Sequence, residues 1–228
     1  MALESFQQQK ACIAVAYEPQ ARKDVADALR CAEAVSKALI KSAINSRIVK
    51  ITKDLLADKD YLQAALKREC PLVFNLFEGF NDDARAEIEF ARLLEKANVC
   101  FTGNSSKTLN DCLDKLKTKQ ILYSEGITIP RGFLIRHENE IDDLLKVDIA
   151  LPFFIKPCFE DASVGIDAAS LINQRETIYT QITDKLRDNP GGILVEEFIP
   201  GNEYTVAMLA PEEDKIIGVS RIDYKLYP

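Results

Sequence analysis

Apolar positions in this chain repeat with two different periods, and the alternation between them predicts its elements. Cys12 to Tyr17 is a short apolar run, the first strand candidate. Arg22 to Ala43 follows, with Val25, Leu29, Ala32, Val35, Leu39 and Ala43 at spacings of three and four, the stripe of an amphipathic helix. Arg47 to Ile51 predicts a second strand, and Tyr61 to Lys67 a weaker helix. Leu72 to Phe77 is continuously apolar, as for a strand covered on both faces of a parallel sheet. Asp83 to Lys96 reads as a third helix with Ile88, Ala91 and Leu94 on one side, and Val99 to Thr102, closed by Gly103, as a fourth strand. Strands alternating with helices imply a parallel sheet.

Beyond this the pattern changes. Ser105 to Ser124 predicts one helix with Leu109, Cys112, Leu113 and Leu116 inward, and Gly126 supplies a left-handed cap past its end. Gly132 to Ile135 is a strand, Asn139 to Lys146 a short helix, Pro152 to Pro157 a strand, and Phe159 to Gly165 a loop of polar and small residues. Glu176 to Arg187 is a helix, and Pro190-Gly191-Gly192 a sharp turn. Ile193 to Ile199 and Tyr204 to Ala210 are strands, with Ile216 to Asp223 returning as a hairpin across a turn at Pro211 to Lys215. The expected fold class is α/β: a parallel-sheet, Rossmann-like N-terminal domain over 1–104, then an α+β domain.

Composition narrows the function classes. Of 228 residues 47% are hydrophobic and 29% charged, enough apolar material for a core. A net charge of -7 without a basic tract gives no electrostatic reason to bind nucleic acid or an anionic membrane. No apolar run reaches the length of a membrane span, and Met1 to Lys10 lacks an apolar signal core. The six cysteines, Cys12, Cys31, Cys70, Cys100, Cys112 and Cys158, form no C-x-x-C pair. They read as buried, reduced thiols of a cytoplasmic protein. One histidine, His137, is too few for a zinc site or a Ser/His triad. A dinucleotide-dependent oxidoreductase is excluded, because no glycine occurs between Tyr17 and Gly79.

Three segments hold candidate chemistry. Lys156 sits inside the apolar run Phe153-Phe154-Ile155-Lys156-Pro157, and a buried ammonium needs an anion. The following loop, Cys158 to Gly165, can fold over a polyphosphate with its N–H groups inward. The alternative is an edge-strand lysine reaching solvent. Glu196 and Glu197 interrupt an apolar strand and, by alternation, point to opposite faces, with Glu203 beyond the Pro-Gly turn. A carboxylate beside an aromatic and free strand backbone suits a purine amine and a ribose hydroxyl; the alternative is a strand-edge charge pair. Lys115 and Lys119 share a helix face one turn apart, where solvated lysines are the default.

The order and spacing of these segments resemble the ATP-grasp superfamily, most closely its D-alanine–D-alanine ligase-like branch. The strings that carry the resemblance are Phe74-Asn75-Leu76-Phe77-Glu78-Gly79, Phe101-Thr102-Gly103-Asn104, Leu113-Asp114-Lys115, Ile129-Pro130, Ile155-Lys156-Pro157, Glu160 to Asp167, and Val195 to Val206. The resemblance implies an ATP-grasp central subdomain over 105–200 and the start of a C-terminal subdomain over 201–228. It implies ATP held by Lys115 and Lys156 at its phosphates, under a loop containing Glu160, Ser163 and Gly165. Glu196 would receive the adenine amine, the main chain of Glu197, Phe198 and Ile199 would line the adenine pocket, and Glu203 would bind the ribose. The implied reaction phosphorylates a carboxylate and joins it to an amine. An amino acid or short peptide would be the co-substrate, and a homodimer would form through the first domain.

Two departures follow. The family's magnesium ligands lie in a Glu-x-Asn string near its C-terminal end. This chain contains no Glu-x-Asn, so Mg2+ ligands are expected beyond Pro228 and none is assigned within it. The incomplete domain leaves a non-catalytic nucleotide-binding or scaffold module as the alternative to a ligase. Glu18-Pro19-Gln20-Ala21 also departs from the acidic group that the family places after its first strand, and the loop's serine position is Ala162, beside Ser163. These point away from strict D-alanine specificity and toward a related amino-acid or peptide ligase.

Overall fold

The structure, a computed structural model, describes residues 10–18, 23–80, 82–147, 151–160, 163–209 and 215–223. The first sheet is parallel, in the order β2-β1-β3-β4: β1 (Lys10–Ala16), β2 (Asn45–Ile51), β3 (Leu72–Leu76) and β4 (Cys100–Phe101). Ile13 pairs with Ile48 on one side and Phe74 on the other. Strand alternation sends Ile13 and Val15 to the face covered by α1 (Lys23–Lys41), where Leu29, Ala32, Val35 and Leu39 pack on them. Cys12, Ala14 and Ala16 face the opposite cluster. There α3 (Lys59–Glu69) contributes Leu62 and Leu66, and α4 (Arg85–Ala97) contributes Phe90 and Leu94. Both faces of β1 are therefore dry, as the apolar run requires. A short helix, α2 (Lys53–Ala57), opens on Thr52, whose hydroxyl accepts from the Leu55 N–H. Asn98 ends α4 in the left-handed conformation.

The second sheet is antiparallel throughout, in the order β5-β8-β6-β7: β5 (Gly132–Ile135), β6 (Phe153–Pro157), β7 (Leu171–Ile172) and β8 (Ile193–Glu197). One face, carrying Phe133, Ile135, Phe153, Ile155, Ile193 and Val195, packs on α7 (Ile141–Lys146) and α8 (Ile178–Asp188) through Ile141, Leu144, Ile178 and Ile182. A separate hairpin of β9 (Tyr204–Leu209) and β10 (Lys215–Arg221) follows. Its large apolar side chains, among them Val206, Met208, Ile216 and Val219, are exposed. Its expected turn falls at 210–214, outside the described residues.

Three expectations are corrected. The helix expected over Ser105 to Ser124 is two, α5 (Ser106–Leu113) and α6 (Lys115–Ser124). Asp114 breaks it: the backbone there is extended, and its carboxylate accepts from the Lys117 N–H as an N-cap. Cys112 consequently faces solvent. The cysteines are not all buried thiols either. Cys12 and Cys70 form a disulfide across 58 residues, because β1 and β3 are neighbours and Cys70 lies just before β3. Cys31, Cys100 and Cys112 are exposed, leaving Cys158 as the buried free thiol among the described residues. The disulfide removes the thiol argument for a reducing compartment. Finally, the strand expected to reach Ile199 stops at Glu197: the Phe198 N–H still donates to the Pro152 carbonyl opposite it, but Pro152 has no N–H with which to carry the ladder further.

Candidate functional site: a carboxylate between two lysines

Register builds the site. Phe154 lies opposite Glu196 and Lys156 opposite Leu194, so these four side chains share the sheet face turned away from α7 and α8. Gly132 also lies opposite Glu196, on the other side. A Cβ on Gly132 would stand 2.8 Å from Glu196 Cγ and 2.7 Å from the Val195 carbonyl, so the missing side chain makes room for the carboxylate. Glu196 is buried, and both of its oxygens are engaged. Oε1 accepts from Lys119 of α6 and Oε2 from Lys156 of β6. Lys119 also donates to the Pro130 carbonyl at 2.5 Å. Side-chain exposure is 6% for Glu196, 12% for Lys119 and 26% for Lys156.

Lys156 therefore has its required anion within the protein. Strand pairing sets the Glu196 carboxylate beside it. Lys119 is the residue that sequence reasoning left as a solvated lysine. Its partner is 77 residues away, so only the face shared with Lys115 hinted at it.

Lys115 reaches the loop. Its ammonium donates to the Glu160 carbonyl, and its N–H donates to the Cys158 carbonyl at 3.1 Å. The Cys158 N–H in turn donates to Gly192 at 3.0 Å, so the start of α6 is moored to the end of β6. Burial is the main cause that raises the Cys158 thiol above its ordinary pKa. At the loop's far end Gly165 has φ +74 and packs so tightly on Pro157 that a Cβ would meet its ring at 2.6 Å. Lys185 of α8 donates to the Gly165 carbonyl at 2.7 Å and pairs with Asp167 at 2.9 Å, holding the Asp167 carboxyl below its ordinary pKa. Ser163 is exposed with φ 62, while Asp161 and Ala162 lie outside the described residues.

The remaining expected residues are arranged less uniformly. Glu197 points to the other face, and its carboxylate accepts from the Arg131 N–H at 2.8 Å. The N–H groups of Glu197 and Phe198 are used by the Arg131 and Pro152 carbonyls. The Phe198 ring stands 6.5 Å from that of Phe154, and Ile199 is exposed. Glu203 is exposed at the foot of the hairpin, its carbonyl accepting from the Ile222 N–H.

A cavity of about 230 Å³ lies beside the loop, between Pro157–Glu160, the Asp188–Gly192 turn and Asp82–Arg85 of the first half. The Arg85 guanidinium sits 5.4 Å from the centre of the Phe159 ring there. Among the described residues no group of three or more His, Cys, Asp or Glu side chains is placed to hold a metal ion. No helix among them is long and apolar enough to cross a membrane.

Residues 119–226 match the family model for the D-ala D-ala ligase C-terminus. A D-alanine--D-alanine ligase of Ectopseudomonas mendocina is 28% identical over 160 residues, covering 70% of this chain and 49% of that protein. The chain thus spans about half the length of the curated relatives it matches. The VanG D-Ala:D-Ser ligase of Enterococcus faecalis shares the fold at a TM-score of 0.74 and 19% identity, over 94% of this chain and 70% of its own. The D-alanine--D-alanine ligase of Bacillus anthracis complexed with ATP does so at 0.63 and 16%, over 92% and 71%. Sheet order, the lysine–glutamate face and these likenesses support one reading: residues 119–226 match the D-ala D-ala ligase C-terminus, and the chain resembles the D-alanine–D-alanine ligase-like branch of the ATP-grasp family.

Proposed function

We propose that this chain holds ATP against the polar face of the antiparallel sheet and serves an ATP-dependent carboxylate–amine ligase. The observation that carries the reading is the convergence of Lys119 and Lys156 on buried Glu196, with Lys115 moored to the adjoining loop. Glu196 takes the adenine amine, the main chain of Glu197, Phe198 and Ile199 borders the ring, and Glu203 takes the ribose. Lys115 and Lys156 neutralise the phosphates beneath the loop that carries Glu160, Ser163 and Gly165. Phosphoryl transfer depends on placing reactants and neutralising charge, which these groups supply. A substrate carboxylate takes the γ-phosphoryl group and ADP leaves. The amine of an amino acid or short peptide then attacks the acyl carbon, phosphate departs, and the amine's proton passes to solvent. Magnesium supplies further positive charge when bound. The proposed setting is the cytoplasm, with a homodimer through the first domain. The second reading is a nucleotide-binding or scaffold module without its own chemistry.

Calorimetry with ATP tests the first step. Charge-assisted hydrogen bonds contribute about 1.5–3 kcal/mol, so Lys156→Ala weakens ATP binding roughly ten- to a hundredfold. Equal affinity for the two proteins would remove the site. Release of phosphate with an amino-acid acceptor present separates the ligase from the non-catalytic module.

A further inference from the structure

The two oxygens of Glu196 are not held alike. Oε1 belongs to Lys119, which is nearly buried and is fixed at its other end by the Pro130 carbonyl. The carboxylate's stem packs closely over Gly132, where a Cβ would stand 2.8 Å from Cγ. Oε2 belongs to Lys156, which is twice as exposed and lies one residue before Pro157, where the strand passes into the loop. Two ammonium groups around one carboxylate leave a net positive charge at the sheet face. An arriving polyanion competes with Glu196 for the more exposed lysine.

We propose that Lys119 is a positioning residue that fixes Glu196, and that the bond from Lys156 to Oε2 is a latch exchanged when nucleotide binds. Lys156 turns to the phosphates, and the oxygen it leaves accepts the exocyclic amine of the purine. Lys119 keeps the carboxylate in place during the exchange. Base recognition and phosphate binding are thereby linked through one atom: Oε2 becomes available to adenine as Lys156 is drawn away. This inference rests on the nucleotide reading above and adds to it a role for Lys119 and a cost for phosphate binding in the resting site.

The test is calorimetry on the full chain with three probes: ATP, inosine triphosphate and tripolyphosphate. Inosine has a carbonyl where adenine has its amine, so the ratio of the first two reads recognition by Oε2. The wild type prefers ATP about tenfold or more, the scale of one charge-assisted hydrogen bond. Lys119→Met drops that preference to within about twofold, whereas Lys119→Arg keeps most of it. General loosening of the fold would weaken all three probes together and leave the ratio alone. Glu196→Gln opens the latch, so tripolyphosphate binds about three- to tenfold tighter than to the wild type. A Lys119→Met protein with undiminished preference, or a Glu196→Gln protein with no gain for tripolyphosphate, overturns the proposal. If Lys119→Met does not fold, the Glu196→Gln arm still decides. A wild type that binds neither ATP nor tripolyphosphate instead sinks the nucleotide reading itself, and this inference with it.

Discussion

Among the described residues a carboxylate held between two lysines occurs twice, both times with the carboxylate buried, but once with its lysines in water and once with them largely out of it. At the end of α5, Asp111 accepts from Lys107 at 2.7 Å and from Lys117 at 2.5 Å. On β8, Glu196 accepts from Lys119 and Lys156. The charges are the same, but Lys107 and Lys117 are 85% and 46% exposed, against 12% and 26% for the inner pair. A pair about 4 Å apart interacts by about 1 kcal/mol in bulk water and about 4 kcal/mol at an effective dielectric of 20. The outer cluster is a cheap staple across the α5–α6 junction. The inner one carries a desolvation cost that hydrophobic residues of similar volume would avoid. A charged cluster in such a place makes sense as a binding site, not as a device for stability.

The largest expected effect follows from removing the inner carboxylate. Glu196→Gln leaves two lysines facing each other, and urea unfolding should record a loss of about 2–3 kcal/mol, somewhat below the fully buried case because Lys156 is partly wet. Replacing all three groups together, as Lys119→Met, Lys156→Met and Glu196→Leu, should return stability to within about 1 kcal/mol of wild type while abolishing ATP binding. A triple variant as unstable as Glu196→Gln would mean that the cluster is structural after all.

Gly132→Ala perturbs the inner cluster without changing its charge. The new Cβ meets the Val195 carbonyl at 2.7 Å and Glu196 Cγ at 2.8 Å, so strand and carboxylate must shift. Overpacking of this kind costs about 1–3 kcal/mol. The expected outcome is a loss near the middle of that range in urea unfolding, together with weaker ATP binding in calorimetry.

The same contrast explains what could be read from sequence. Elements defined by local periodicity were legible: Gly132 to Ile135 appears with the bounds its pattern predicts, and the helix and hairpin spans fall within a few residues of expectation. The opposite facing of Glu196 and Glu197 also follows from strand alternation alone. The break at Asp114 was missed because helix periodicity continues across it, although an aspartate placed to accept from the Lys117 N–H is a capping signal. β7, only Leu171 and Ile172, is too short to leave a pattern. The partnerships that make the inner cluster are long-range. Lys119 meets Glu196 across 77 residues, and Cys12 meets Cys70 across 58. No local spacing encodes either; each appears only when strand order is known.

The smallest effect belongs to the outer cluster and is visible only in acid. The Asp111 carboxyl is drawn down from its ordinary value to about 2, first by its hydrogen bond with Lys107 and then by that with Lys117. A carboxyl depressed in the folded state gives stability that is fully present above its unfolded pKa, near 3.9, and is lost as pH falls through the folded value. Melting temperature followed from pH 5 to pH 2 should therefore decline less steeply in Asp111→Asn than in the wild type, the variant lying lower at pH 5 and the two curves converging below about pH 4. Salt offers a second check: the gap between the two proteins at pH 5 should shrink at high ionic strength, because exposed lysines are screened. ATP binding near neutral pH should be the same in both proteins. An Asp111→Asn chain with altered ATP affinity would mean that the α5–α6 junction reaches Lys115 and Lys119 more strongly than a surface staple can, and the division between outer and inner clusters would fail.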